Sequence, residues 1–276
     1  MRGPAHAPVP DVTTSVSPTL MPKRPTHPPG RNGAKPGADT PRLVPARMLT
    51  SAAAAVEPNT TLGAAVYDRT TGRFALELNA KRPFRSASLV KLLIAVDVLA
   101  RGTDVEDRRR LARMLRTSDD GLASMFWVRE GGPKLVTRTS AELGLHGVRP
   151  PEVPGQWGEV RLTAWDVVRI YQHVLELPSA DRTLVVGALA QAPRHAADGF
   201  DQHFGIPDGV AGQWAVKQGW GNNGRAMVLH STGLAGPGFR YVVVLLSEHP
   251  LSAGWQASAR SVTAAAASMH GYLPGL

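Results

Sequence analysis

The chain contains no cysteine. Disulfides, thiolate metal sites, a cysteine nucleophile and a lipid-bearing cysteine are excluded within it. The redox compartment stays open, because a cysteine-free protein suits either side of a membrane. No apolar run reaches the roughly 18 residues of a membrane span, and no apolar signal-peptide core stands near the N-terminus. Aromatic residues make up only 6% of the chain, and no Lys/Arg run is interleaved with them. A nucleic-acid partner is therefore not expected, although the net charge is +9. Much of that charge is local. Residues 1–50 carry seven basic side chains against Asp11 and Asp39, which leaves +5 on this stretch.

The remaining composition, 43% hydrophobic and 19% charged over 276 residues, suits a sizeable core. Residues 1–47 hold eleven of the 23 prolines and show no apolar periodicity. Proline fixes φ and removes a donor, so this segment is read as a disordered, basic tail. From Met48 the texture changes. MLTSAAAAVEP reads as a short helix ended by Pro58. TLGAAVYDRTTGRFALELN reads as a hairpin around Asp-Arg-Thr-Thr-Gly. A helix is expected over 88–100, then four helical patterns before residue 177, with the Pro/Gly-rich loop HGVRPPEVPGQWGEVR ahead of the last. WAVKQGW, RAMVLHSTGL and FRYVVVLLSE read as strands, and ASARSVTAAAASMHGYL as a closing helix. This order predicts an α/β fold: an antiparallel sheet flanked by helices, with an inserted all-helical lobe. The α/β part is placed at 48–100 and 211–276 and the lobe at 101–210, with a cleft between them.

The stretch FRSASLVKLLIAVDVLA, Phe84–Ala100, holds one lysine inside an apolar run. Ser88 and Lys91 are three apart and share a helix face. Burial lowers a lysine pKa, and a neutral amine beside a hydroxyl is a general base beside a nucleophile. The competing reading is an N-cap serine with a lysine that reaches water. Two further elements weigh on the choice. Ser118-Asp119-Asp120 falls between two helical patterns, and Lys217-Gln218-Gly219 lies on a strand.

Ser-x-x-Lys, Ser-Asp-Asn and Lys-Thr-Gly, in that order, mark class A β-lactamases and penicillin-binding proteins. From about Met48 onward the chain resembles these serine hydrolases, above all actinobacterial members with a strand like AVKQGW. The resemblance implies that Ser88 is acylated by an amide, ester or lactam carbonyl, that Lys91 is its base, and that Ser118 relays a proton to the leaving group. It implies that Lys217 binds a substrate carboxylate, that Asp120, Gln218 and Gly219 contact substrate, and that the N–H groups of Ser88 and Trp220 form the oxyanion hole. A small-molecule or peptide substrate, a monomer, an extracytoplasmic location and no metal or organic cofactor follow from it. A peptidoglycan-type DD-peptidase and a non-catalytic binding module are the alternatives.

The chain departs from that pattern in several places, among them the bulky Trp220 after the glycine and a short stretch between Ser88 and Ser118. Asp120 stands where the family has asparagine; an ionised carboxylate accepts hydrogen bonds and donates none, and aimed at Lys91 it would favour the ammonium. Gln218 stands for threonine. Glu152 and Glu159 are the candidates for a deacylation base, but neither has an asparagine four residues on, so efficient β-lactam hydrolysis is not expected. Gly219-Trp220-Gly221-Asn222-Asn223-Gly224 matches a dinucleotide pattern, but a strand and not a helix is expected after it, so it reads as a hairpin turn. His230 reads as a packed strand histidine, and Trp157 and Trp220 as core or cleft wall.

Overall fold

The structure, a computed structural model, describes residues 43–276. Of the expected tail, positions 1–42 lie outside the described residues. Helix α1 (Ala46–Ala54) begins two residues before the boundary at Met48, behind Pro45. Its hairpin follows as expected, β1 (Thr61–Asp68) and β2 (Arg73–Leu78). Asp68 makes the turn: its Oδ1 accepts the Thr70 N–H at 2.9 Å.

Next come β3 (Phe84–Arg85), a 3₁₀ turn over Ala87–Leu89, and α2 (Val90–Ala100). The helical region holds α3 (Val105–Thr117), α4 (Asp120–Arg129), α5 (Pro133–Leu143), α6 (Ala164–Glu176) and α7 (Ser179–Ala190). It also holds a two-residue strand, β4 (Arg161–Leu162). Thr163 caps α6 in a capping box with Asp166, as the Thr-Ala-x-Asp spacing allows. After the one-turn α8 (Ile206–Gly209) come β5 (Trp214–Asn222), β6 (Ala226–Ala235), β7 (Tyr241–Pro250) and α9 (Gly254–Ala267). A strand does follow the Gly-rich stretch at 219–224.

The five long strands form one antiparallel sheet in the order β2-β1-β7-β6-β5. Its centre, β7, is apolar at consecutive positions because both faces are covered. One face packs with α1, α8 and α9 through residues such as Leu49, Ile206, Val243 and Val262. The other packs with α2 and the helical region through Val244, Leu246, Leu92 and Tyr171. Helix α2 is buried almost all round, from Val90 to Leu99, so it forms the axle of the helical region. This is the β-lactamase/transpeptidase type of architecture.

Two histidines are buried in the sheet, and His230 joins three strands. His230 Nδ1 accepts the Ser247 N–H, so Nε2 carries the proton and donates to the Arg85 carbonyl at 2.6 Å. That bond fixes β3 just ahead of the Ser88 turn. Burial pushes His230 and His249 down to about 4 from 6.5. The unfolded chain therefore takes up protons below about pH 6.5 that the folded chain refuses until pH 4. Stability should be full above that window and fall through it, by up to roughly 3 kcal/mol per histidine. Urea unfolding at pH 7 and pH 4.5 checks this; equal stabilities would contradict neutral burial.

Candidate active site

Three segments converge on a pair of hydroxyls, those of Ser88 and Ser118. Ser88 lies in the 3₁₀ turn ahead of α2, next to Ala87 at φ 43°. A non-glycine residue with positive φ is costly and is held only by its surroundings. The Ser86 N–H donates to Val160 O at 2.6 Å. The β3–β4 pairing, Phe84 to Leu162 and Arg85 to Arg161, fastens the same turn to the loop before α6. On the other side β5 runs past it. A Cβ on Gly219 would come 3.0 Å from Ser86 O and 3.3 Å from Leu89 Cγ, so the strand approaches this closely only with glycine there.

Lys91 is wholly buried. Its Nζ lies 2.8 Å from Ser88 Oγ, 3.1 Å from Ser118 Oγ, 2.7 Å from Ser118 O and 2.5 Å from Asp120 Oδ1. Ser118 closes α3 in the left-handed conformation, at φ 55°, which turns its carbonyl and hydroxyl onto the amine. Asp119 then caps α4 by accepting the Leu122 N–H. Lys217 reaches the same point from β5. Its Nζ donates to Ser118 Oγ at 2.9 Å and to Gln218 O at 2.8 Å. Tyr171 and Thr232 support that strand, because Thr232 Oγ1 meets the tyrosine hydroxyl at 3.0 Å and donates to Lys217 O.

The electrostatics follow from burial. Desolvation drives the Lys91 amine below the ordinary lysine range, and the Asp120 carboxylate pulls it partly back. Lys217 is driven well below that range, again by burial, with the neighbouring Lys91 acting in the same direction. Two amines thus flank the Ser118 hydroxyl, and a hydrogen-bonded chain runs from Ser88 Oγ through Lys91 and Ser118 to Lys217.

The cleft above Ser88 has a volume of about 210 Å³. Trp220 lines it with Ser88, and Asp120, Trp157 and Glu159 share its walls. Glu152 is exposed and stands away from this lining. Glu159 Oε1 accepts from Arg85 Nη1 at 2.8 Å, and buried Arg85 also donates to Ala226 O. Gln218 points elsewhere: its Nε2 donates to the carbonyls of Gln202 and Phe204. The strand alternation that aims Lys217 inward sends its neighbour to the opposite face. Arg85 and Asp198 went unnoticed in the sequence. Arg85 was a plain basic residue before the serine, and Asp198 a turn residue before Gly199. Their place in the wall depends on long-range pairing that no local spacing announces. Among the described residues, no group of three or more His, Asp or Glu is placed to hold a metal.

No family model matches the chain. The Mycobacterium tuberculosis protein named "Putative lipoprotein LppW" is 38% identical over 216 residues, covering 74% of this chain and 68% of that protein. Its Mycobacterium bovis counterpart matches equally. Among solved structures, a PBP-A point mutant in acyl-enzyme complex with penicillin G aligns with a TM-score of 0.64 at 15% identity, over 84% of this chain and 98% of that one. A class A β-lactamase from Mycobacterium abscessus aligns with a TM-score of 0.62 at 18% identity, over 80% and 97% of the two chains. These two likenesses establish the fold.

Proposed function

The chain belongs to the LppW family, and we propose that it is a serine hydrolase or acyltransferase acylated at Ser88. The observation that carries this reading is the 2.8 Å contact between Ser88 Oγ and a fully buried lysine amine. Lys91 in its neutral form takes the Ser88 proton as Oγ attacks a carbonyl carbon. The proton moves on through Ser118 to the leaving group, with Lys217 lowering the proton affinity of Ser118. The N–H groups of Ser88 and Trp220 receive the developing oxyanion; such donors supply about 10²–10³ in rate. Glu159, the one candidate glutamate in the cleft wall, is held by Arg85, which occupies one of its carboxylate oxygens. Hydrolysis of the acyl-enzyme is therefore the slow half-reaction.

The rival reading, a binding module that keeps the fold, draws on the Asp120–Lys91 ion pair, which favours the ammonium. A fluorescent penicillin separates the two. The enzyme reading expects a covalently labelled band that disappears in Ser88→Ala. A wild type that stays unlabelled by both this probe and a fluorophosphonate would leave only the binding module. The family relative's name supports an extracytoplasmic location.

A further inference from the structure

We infer that the Ser88 cleft selects acyl donors bearing a positively charged group, an ammonium or guanidinium, and that Asp198 receives it. This rests on the acylation reading above and goes beyond it to the class of substrate. Four charged side chains line the cleft: Arg85, Asp120, Glu159 and Asp198. Arg85 and Glu159 neutralise each other. Asp120 is taken by Lys91. Asp198 is exposed and has no salt-bridge partner among the described residues.

Its carboxylate is nevertheless fixed in place. Oδ1 accepts the Phe200 N–H at 3.0 Å and Oδ2 accepts the Trp220 indole N–H at 3.1 Å. Trp220 in turn stacks on Phe200 with ring centroids 4.8 Å apart. Both donors are neutral, so they orient the charge without cancelling it. A preorganised carboxylate with no salt-bridge partner among the described residues, whose charge the buried amines of Lys91 and Lys217 feel only through space, can accept a cation on the wall of a reactive cleft. The indole of Trp157, on the same lining, already carries a cation site, with Lys91 Nζ 5.0 Å from its ring centroid.

The expected recognition of a substrate carboxylate rested on Lys217, and the geometry does not present that amine. Lys217 is buried beneath the cleft and spends its bonds on Ser118 Oγ and Gln218 O. Gln218 has turned to the carbonyls of residues 202 and 204. An anionic group entering the cleft would meet Asp198 and Asp120 instead.

The test uses two alkyl fluorophosphonates of equal length, one ending in trimethylammonium and one in carboxylate. The full chain is labelled at low ionic strength and the second-order rates are compared. The ammonium probe should react about tenfold faster, and the advantage should shrink in ~0.5 M salt. In Asp198→Asn the two rates should come within about threefold of each other. Equal rates in wild type, faster reaction of the carboxylate probe, or a preference unchanged in Asp198→Asn would overturn the inference while leaving acylation at Ser88 intact. No reaction with either probe would overturn both.

Discussion

Replacing Lys91 with methionine is expected to slow acylation of Ser88 by about a thousandfold. Methionine keeps an unbranched side chain of similar length in a wholly buried position. The loss therefore reports the amine rather than a cavity. A serine hydroxyl at neutral pH is a poor nucleophile, and the nearest proton acceptor is Nζ at 2.8 Å. Lys217 does not replace it directly, because its amine contacts Ser118 and not Ser88. The labelling rate with a fluorescent penicillin measures the effect, with thermal unfolding as the check on folding. A rate within tenfold of wild type would move the base to another group, with Glu159 the first candidate in the cleft.

The second large effect runs the other way. Asp120→Asn should accelerate acylation at neutral pH by about tenfold or more. The carboxylate at 2.5 Å stabilises the Lys91 ammonium, in opposition to burial. An opposite charge at that distance favours the charged form of the amine. Asparagine keeps an acceptor for the amine and removes the charge. The pKa of Lys91 then falls further, and more of the amine is free near pH 7. The signature is a pH profile: the rising limb of the acylation rate should move to lower pH in the variant. Unchanged limbs with a lower rate would show that the carboxylate itself takes part in the proton path.

Much of this arrangement could be read from the sequence because it was written in local spacing. The three-residue offset of Ser88 and Lys91, the Asp-Arg-Thr-Thr-Gly turn and the alternation of WAVKQGW each act within one element. Helix α7 was not foreseen: TLVVGALA mixes β-branched residues and glycine, and tertiary packing decides its conformation. Strands β3 and β4 are two residues long and exist only as a pair. They hold the loop over Ser88, so Glu159 and not Glu152 reaches the cleft. The strand register separates Lys217 from Gln218, and the tie between Asp198 and Trp220 spans 22 positions. Such features arise from the pairing of distant segments, for which one sequence carries no periodic signal.

The most direct measurement maps the adduct. Cleavage after Arg85 and Lys91 releases Ser86–Lys91, a peptide with two serines. Fragmentation after fluorophosphonate or penicillin treatment tells them apart. The account predicts the added mass on Ser88, whose hydroxyl faces the lysine amine. Mass on Ser86, whose hydroxyl donates to a backbone carbonyl, or on a residue outside this peptide, would contradict it.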